Sequence, residues 1–304
     1  PSTTAAALTS LVTGQWPGRH GLTGWYTHLP DHNLTATILP FVDRMTNASL
    51  ADRGLKMSEI VLEPTVMSEL EREVCTILPA SLRDGSYSQW AHGSTKIIGY
   101  RSLSGGFQSV SANIANRQKP SLTYFYIPDV DTAEHEGGTG GAKVKRIIKT
   151  LDTLLLKLTS DLADQGARII VTADHGLVDV PADRQFRLEQ DDRMLDFLEV
   201  PPSGEALMPL FHVKAGREKR FSEFFAATYG NLMELLSVSD AEALGLFGPD
   251  GISPITRSRL GTFLGISNEP MVLLYDPPGK KPKPIVAFHG GLQPDAIRVP
   301  LFIV

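Results

Sequence analysis

Residues 122–173 constrain the fold more than any other stretch. Leu122-Thr123-Tyr124-Phe125-Tyr126-Ile127 is rich in β-branched and aromatic residues and reads as a strand. Gly137-Gly138-Thr139-Gly140-Gly141 interrupts the chain. Val144, Ile147, Ile148, Leu151, Leu155, Leu158 and Leu162 then recur at the spacing of one helix face. Gly166 stops that helix, and Arg168-Ile169-Ile170-Val171-Thr172 is a second apolar run. Strand, long helix and strand predict a βαβ unit with parallel strands. The fold class that follows is α/β: a mostly parallel central sheet with helices on both faces. In such sheets ligands bind at the carboxyl ends of the strands. The first run leads into Asp129-Val130-Asp131-Thr132-Ala133-Glu134-His135, the second into Asp174-His175-Gly176. Taken alone, Asp-His-Gly is equally compatible with a plain turn; other stretches give it weight.

The rest of the chain can be fitted around this unit. Pro1-Ser2-Thr3-Thr4 precedes an Ala/Leu run that ends at Gly14, the pattern of a short helix with hydroxyls at its start and a glycine stop. Residues 15–36 hold Trp16, His20, Trp25, Tyr26, His28 and His32, and read as a ring-filled loop lying over the core. Residues 65–74 read as helix, 75–79 and 96–100 as strands, and Ser104 to about Arg117 as helix. In 181–265 the strand–helix rhythm is lost and charges cluster, which predicts an inserted subdomain. The main core then comprises 1–180 and 266–304, with strands resuming near 271–275 and 285–288, a Gly/Pro/Lys loop at 277–284 between them, and a closing strand at 299–304.

A net charge of −5 gives no pull toward a nucleic-acid polymer or an anionic membrane. No apolar run approaches the roughly 20 residues of a membrane helix. The one cysteine, Cys75, excludes an intrachain disulfide and leaves the compartment open, with the cytoplasm slightly favoured. Asn33-Leu34-Thr35 and Asn47-Ala48-Ser49 fit the glycosylation triplet, which is frequent by chance.

Chemistry concentrates in few places. Asp131 and His135 follow one strand, Asp174 and His175 follow the next, His289 precedes Gly290-Gly291, and Thr4 lies at a helix start. Two carboxylates and three imidazoles suit Zn²⁺ or a similar divalent ion. Each also has a plain structural reading: an Asx turn, a helix cap, an exposed ring. His20, His28, His32, His92 and His212 belong to no such motif and are read as structural or solvated.

As an ordered set, these stretches resemble the alkaline phosphatase superfamily, in its type I phosphodiesterase/nucleotide pyrophosphatase branch. The resemblance rests on Pro1-Ser2-Thr3-Thr4 through Ser10-Leu11-Val12-Thr13-Gly14, on Pro17-Gly18-Arg19-His20-Gly21, on Asp131 with His135, on Thr172-Ala173-Asp174-His175-Gly176 and on His289-Gly290-Gly291. It implies a two-zinc site, with one metal held by Asp131, His135 and His289 and the other by Asp174, His175 and Thr4, the threonine being the nucleophile. It implies a small phosphodiester or nucleotide as substrate, and leaves the oligomeric state open. Two positions depart from the pattern. Where the resemblance implies a metal-binding Asp on a strand before the nucleophile helix, the sequence opens at Pro1, so an upstream extension carrying that strand is expected. Where it implies an Asn after the nucleophile, the residue is Ala7. A phosphonate hydrolase or phosphomonoesterase of the same superfamily is the alternative. A domain that only binds is a second. The sulfatase pattern is not met by Cys75-Thr76-Ile77-Leu78-Pro79.

Overall fold

The computed structural model describes residues 1–280 and 284–304; part of the expected 277–284 loop, residues 281–283, lies outside the described residues. Three parallel strands form one sheet in the order Lys96–Tyr100, Glu73–Pro79, Ser121–Phe125. The middle strand is buried from Val74 to Leu78, as its apolar run requires. The Leu103–Ala115 helix, capped by the Ser102 hydroxyl, and the Ala142–Leu162 helix share a core with this sheet: Phe107, Val110, Leu158 and Leu162 against Cys75, Ile77 and Tyr100.

Among the described residues, the strands do not join in the single mostly parallel sheet expected. Ser121–Phe125 and Ile170–Thr172 lie in different sheets, the latter paired antiparallel with Leu301–Ile303. The helical stripe fixes the crossover helix but not which strand edge receives the next strand. The closing strand supplies that edge. Its ribbon stays open to solvent, with Ile170 60 % and Phe302 57 % exposed. Val272–Tyr275 pairs parallel with Gln185–Leu188, and Ala287–Phe288 pairs antiparallel with Val178–Asp179.

The largest sheet is seven-stranded and antiparallel, in the order Met233–Ser237, Phe263–Ser267, Pro209–Phe211, Ser203–Gly204, Tyr26–Leu29, Leu34–Thr37, Val42–Asp43. Residues 203–267, which largely overlap the 181–265 stretch read as an inserted subdomain, supply four of its strands, and residues 26–43 supply the other three. The aromatic stretch expected as a loop therefore contains a hairpin. Tyr26–Leu29 and Leu34–Thr37 are joined through Pro30–His32 and Asn33, whose φ of 48° suits an asparagine. Residues 65–74, expected as helix, are turns running into the Glu73 strand.

The Thr4–Thr13 helix ends where predicted: Gly14 adopts a φ of 67° and returns its N–H to the Ser10 carbonyl. Ala5 and Val12 pack on Leu22, Leu29, Ile38, Phe41, Leu50 and Ile60, so the helix is held by residues 22–60. At its N-terminus the Ser2 hydroxyl donates to the Gly291 carbonyl.

Candidate active site

Thr4 opens its helix and is buried. Its Oγ1 lies 2.9 Å from Nε2 of His175. The other ring nitrogen of His175 faces the Gly176 carbonyl at 3.1 Å. A carbonyl only accepts, so Nδ1 carries the hydrogen and Nε2 presents a lone pair that accepts from Thr4. Asp174 Oδ2 is 3.6 Å from the same Nε2.

Asp131 and His135 sit on a short helix, Asp129–Gly137, one turn apart, with Nε2 of His135 3.3 Å from Asp131 Oδ1. His135 Nδ1 is 2.7 Å from the Ala287 carbonyl and, by the same argument, donates to it. The Val286 N–H donates in turn to the His135 carbonyl at 2.8 Å. This helix is thereby clipped to the strand Ala287–Phe288 that leads into His289. The His289 ring stacks on His175, centroids 3.9 Å apart, and lies 5.1 Å from His135.

All six residues singled out in the sequence, Thr4, Asp131, His135, Asp174, His175 and His289, are thus linked by contacts in one cleft. Ligand atoms of Asp131, His175 and His289 lie within 4.8 Å of one another. This trio draws on both of the expected ligand sets. Asp131 Oδ1 and His289 Nδ1 are buried without a hydrogen-bond partner. Unpaired buried polar atoms are costly, and a cation between them removes the cost.

The electrostatics agree with that donor set. Burial opposes the charge on Asp131, yet the His135 ring, 3.3 Å away, holds its carboxyl below the usual range. Burial alone would lower the pKa of His135, but Asp131 outweighs it and leaves the ring above its ordinary value. His289 is pushed well below by burial and by the neighbouring His175, so it stays a neutral ligand-type imidazole.

The remaining histidines stand apart. His20 bonds Ser10 Oγ at 3.0 Å, His92 stacks on Tyr124, His28 and His212 contact each other at 4.5 Å, and His32 is exposed. Sequence reasoning missed two residues near the cleft. The Tyr126 hydroxyl, pushed up by burial and by Asp174, follows the Ser121–Phe125 strand. Glu205 is a buried carboxyl raised to about 7 by desolvation, against the pull of Thr3 and the Trp25 amide. The only signal for Glu205 is a lone acid ahead of the apolar run Ala206-Leu207-Met208-Pro209-Leu210-Phe211.

No curated protein matches this chain. Solved structures share its fold. Murine ectonucleotide pyrophosphatase/phosphodiesterase 5 superposes with a TM-score of 0.68 at 15 % identity, covering 99 % of this chain and 76 % of that one. An inactive threonine-to-alanine variant of that protein in complex with AMP gives 0.66 at 16 %, over 99 % and 76 %. Phosphonoacetate hydrolase from Sinorhizobium meliloti 1021, in complex with phosphonoformate, gives 0.64 at 18 %, over 100 % and 79 %. A family model described as type I phosphodiesterase/nucleotide pyrophosphatase matches residues 1–291.

Proposed function

The chain belongs to the type I phosphodiesterase/nucleotide pyrophosphatase family, and from that premise we propose that it hydrolyses phosphodiester or pyrophosphate bonds with Thr4 as nucleophile at a site for two zinc ions. The observation that carries the reading is the Thr4–His175 hydrogen bond beside the Asp131, His175 and His289 cluster. The family is metal-dependent, and the residues present fit a metal: two imidazoles with Nδ1 spent on carbonyls, plus two orphaned buried atoms. Asp131, His135 and His289 would hold one ion, and Asp174, His175 and Thr4 the other. Bound there, a divalent cation supplies Lewis acidity and lowers the pKa of a bound hydroxyl.

The chain's own residues account for the rest. The carbonyls of Ala287 and Gly176 fix both histidine tautomers so that each Nε2 faces the cleft. The first helix-internal bond runs from the Ala7 N–H to the Thr3 carbonyl, so the N–H groups of Thr4, Ala5 and Ala6 have no partner within the helix. They and the helix dipole favour phosphoryl oxygens at this end, in place of the side-chain contact that Ala7 cannot make. Thr4 Oγ1 forms a bond to phosphorus as the bond to the leaving-group oxygen breaks. Water then attacks the phosphothreonine and frees the hydroxyl.

The likeness to phosphonoacetate hydrolase favours a second reading, cleavage of a carbon–phosphorus bond in a small phosphonate. One experiment separates the two: metal content after purification, then turnover of a diester, a monoester and phosphonoacetate before and after chelation and zinc restoration. The first reading expects about two ions per chain and zinc-restored diester turnover. Preference for phosphonoacetate selects the second. A chain that binds no metal and turns over nothing is a binding domain.

A further inference from the structure

The hairpin that carries Glu205 has its own structural logic. The Glu205 N–H donates to the Met208 carbonyl at 3.3 Å, and the Met208 N–H donates back at 3.1 Å. This tight tip of the large antiparallel sheet reaches the His289-Gly290-Gly291 turn. Gly290 has a φ of 93°, and a Cβ there would come within 2.4 Å of the Glu205 Cγ; one on Gly291 would come within 3.1 Å of the Leu207 Cβ. The turn that delivers His289 therefore lies directly on the Glu205 stem. The carboxyl end does a different job. Its Oε1 accepts from the Trp25 N–H at 2.5 Å. The Ser2 hydroxyl closes the loop by donating to the Gly291 carbonyl at 3.0 Å.

We infer that Glu205 is a positioning residue: through one buried side chain it ties the Trp25 backbone to the turn bearing His289, which the Ser2 hydroxyl joins to the start of the Thr4 helix, and so helps set the spacing between the nucleophile and the imidazole ligands. No hydrogen bond among the described residues joins Glu205 to Thr4 or to a donor atom of the proposed metal site, although its charge acts on His135. Its packing acts through Gly290. Gly24 tightens the same junction, since a Cβ on it would meet the Gly204 backbone at 2.7 Å. A carboxyl so deeply buried serves as a hydrogen-bond acceptor, a part that a neutral amide of the same shape can also take. This distinguishes positioning from a role for the charge itself.

The inference rests on the proposed function for its kinetic and zinc-affinity arms, the latter read by chelator competition. Hydrogen exchange at the Trp25 amide tests it independently. Glu205→Ala should speed exchange at Trp25, weaken zinc about tenfold and lower kcat on bis(p-nitrophenyl) phosphate at least tenfold with little change in KM. Glu205→Gln keeps an oxygen for the Trp25 N–H and should recover most of all three. Two results overturn the inference. One is Glu205→Ala with reduced urea stability but unchanged zinc affinity and kcat, which makes the contact merely structural. The other is Glu205→Gln as impaired as Glu205→Ala, which makes the charge the active property. If the wild-type chain hydrolyses no diester, the functional reading fails, while exchange at the Trp25 amide still tests the inference.

Discussion

Histidines outside the cleft should set the acid limit of this fold. His20 and His212 are pushed down to about 3, chiefly by burial, and His212 also by the adjacent His28 ring. In the unfolded chain each titrates near 6.5. Between about 6.5 and 3 the unfolded state therefore binds the extra protons, and stability falls as pH drops through that window; above it these groups contribute no slope. At pH 5 each ring must stay neutral roughly 1.5 units below its unfolded pKa, which costs about 2 kcal/mol, or about 4 kcal/mol for the pair. That is a large share of a typical 5–15 kcal/mol stability. Both rings are nearly inaccessible, so solvent screening discounts this little. Urea unfolding of chelator-treated protein at pH 7.5 and pH 5 measures the effect. Replacing His212 with Gln should lower stability at pH 7.5, because packing and the 3.4 Å contact with Ser203 are disturbed. The same change should flatten the pH dependence by about 2 kcal/mol across the interval. Equal losses in wild type and variant would show that His212 is not held neutral by the fold.

Thr4→Ala should abolish diester turnover while leaving the ion at Asp131, His135 and His289, and Thr4→Ser should keep part of it; initial rates and metal content on the same samples check both. Zinc at a hundredfold excess over its dissociation constant should stabilise the folded state by about 2.7 kcal/mol. A melting temperature indifferent to zinc would deny that Asp131 and His289 are metal donors. Gly290→Ala combines a left-handed backbone with a clash against Glu205 and should cost about 1–3 kcal/mol while weakening zinc, both measured on the purified variant.

Which residues meet in the cleft was more legible than how the strands are paired, and the reason is physical. Asp131 and His135 need only one helical turn to face each other, and Asp174 and His175 need none. Local chain geometry delivers these pairs whatever the sheet around them does. His289 depends on a distant event, the pairing of Ala287–Phe288 with Val178–Asp179, but its Gly-Gly turn advertised a chain reversal at that point. Strand partners carry no comparable local mark. Ile170–Thr172 offers a row of backbone donors and acceptors that Ser121–Phe125 or Leu301–Ile303 could satisfy equally well, and the choice is made across the whole chain. The Tyr26–Leu29 hairpin was hidden for a related reason. Thr27 and His28 are buried on opposite faces of its first strand, and such polar side chains give no hydrophobic alternation to detect. Glu205 is the extreme case. Nothing beside it in sequence is polar enough to suggest a site, because its partners, the Trp25 amide and the Gly290 turn, are backbone groups that every sequence possesses. Donor chemistry must be written in side chains, and so it can be read. The scaffold that aims those donors is built largely from main-chain contacts, and only the folded structure displays them.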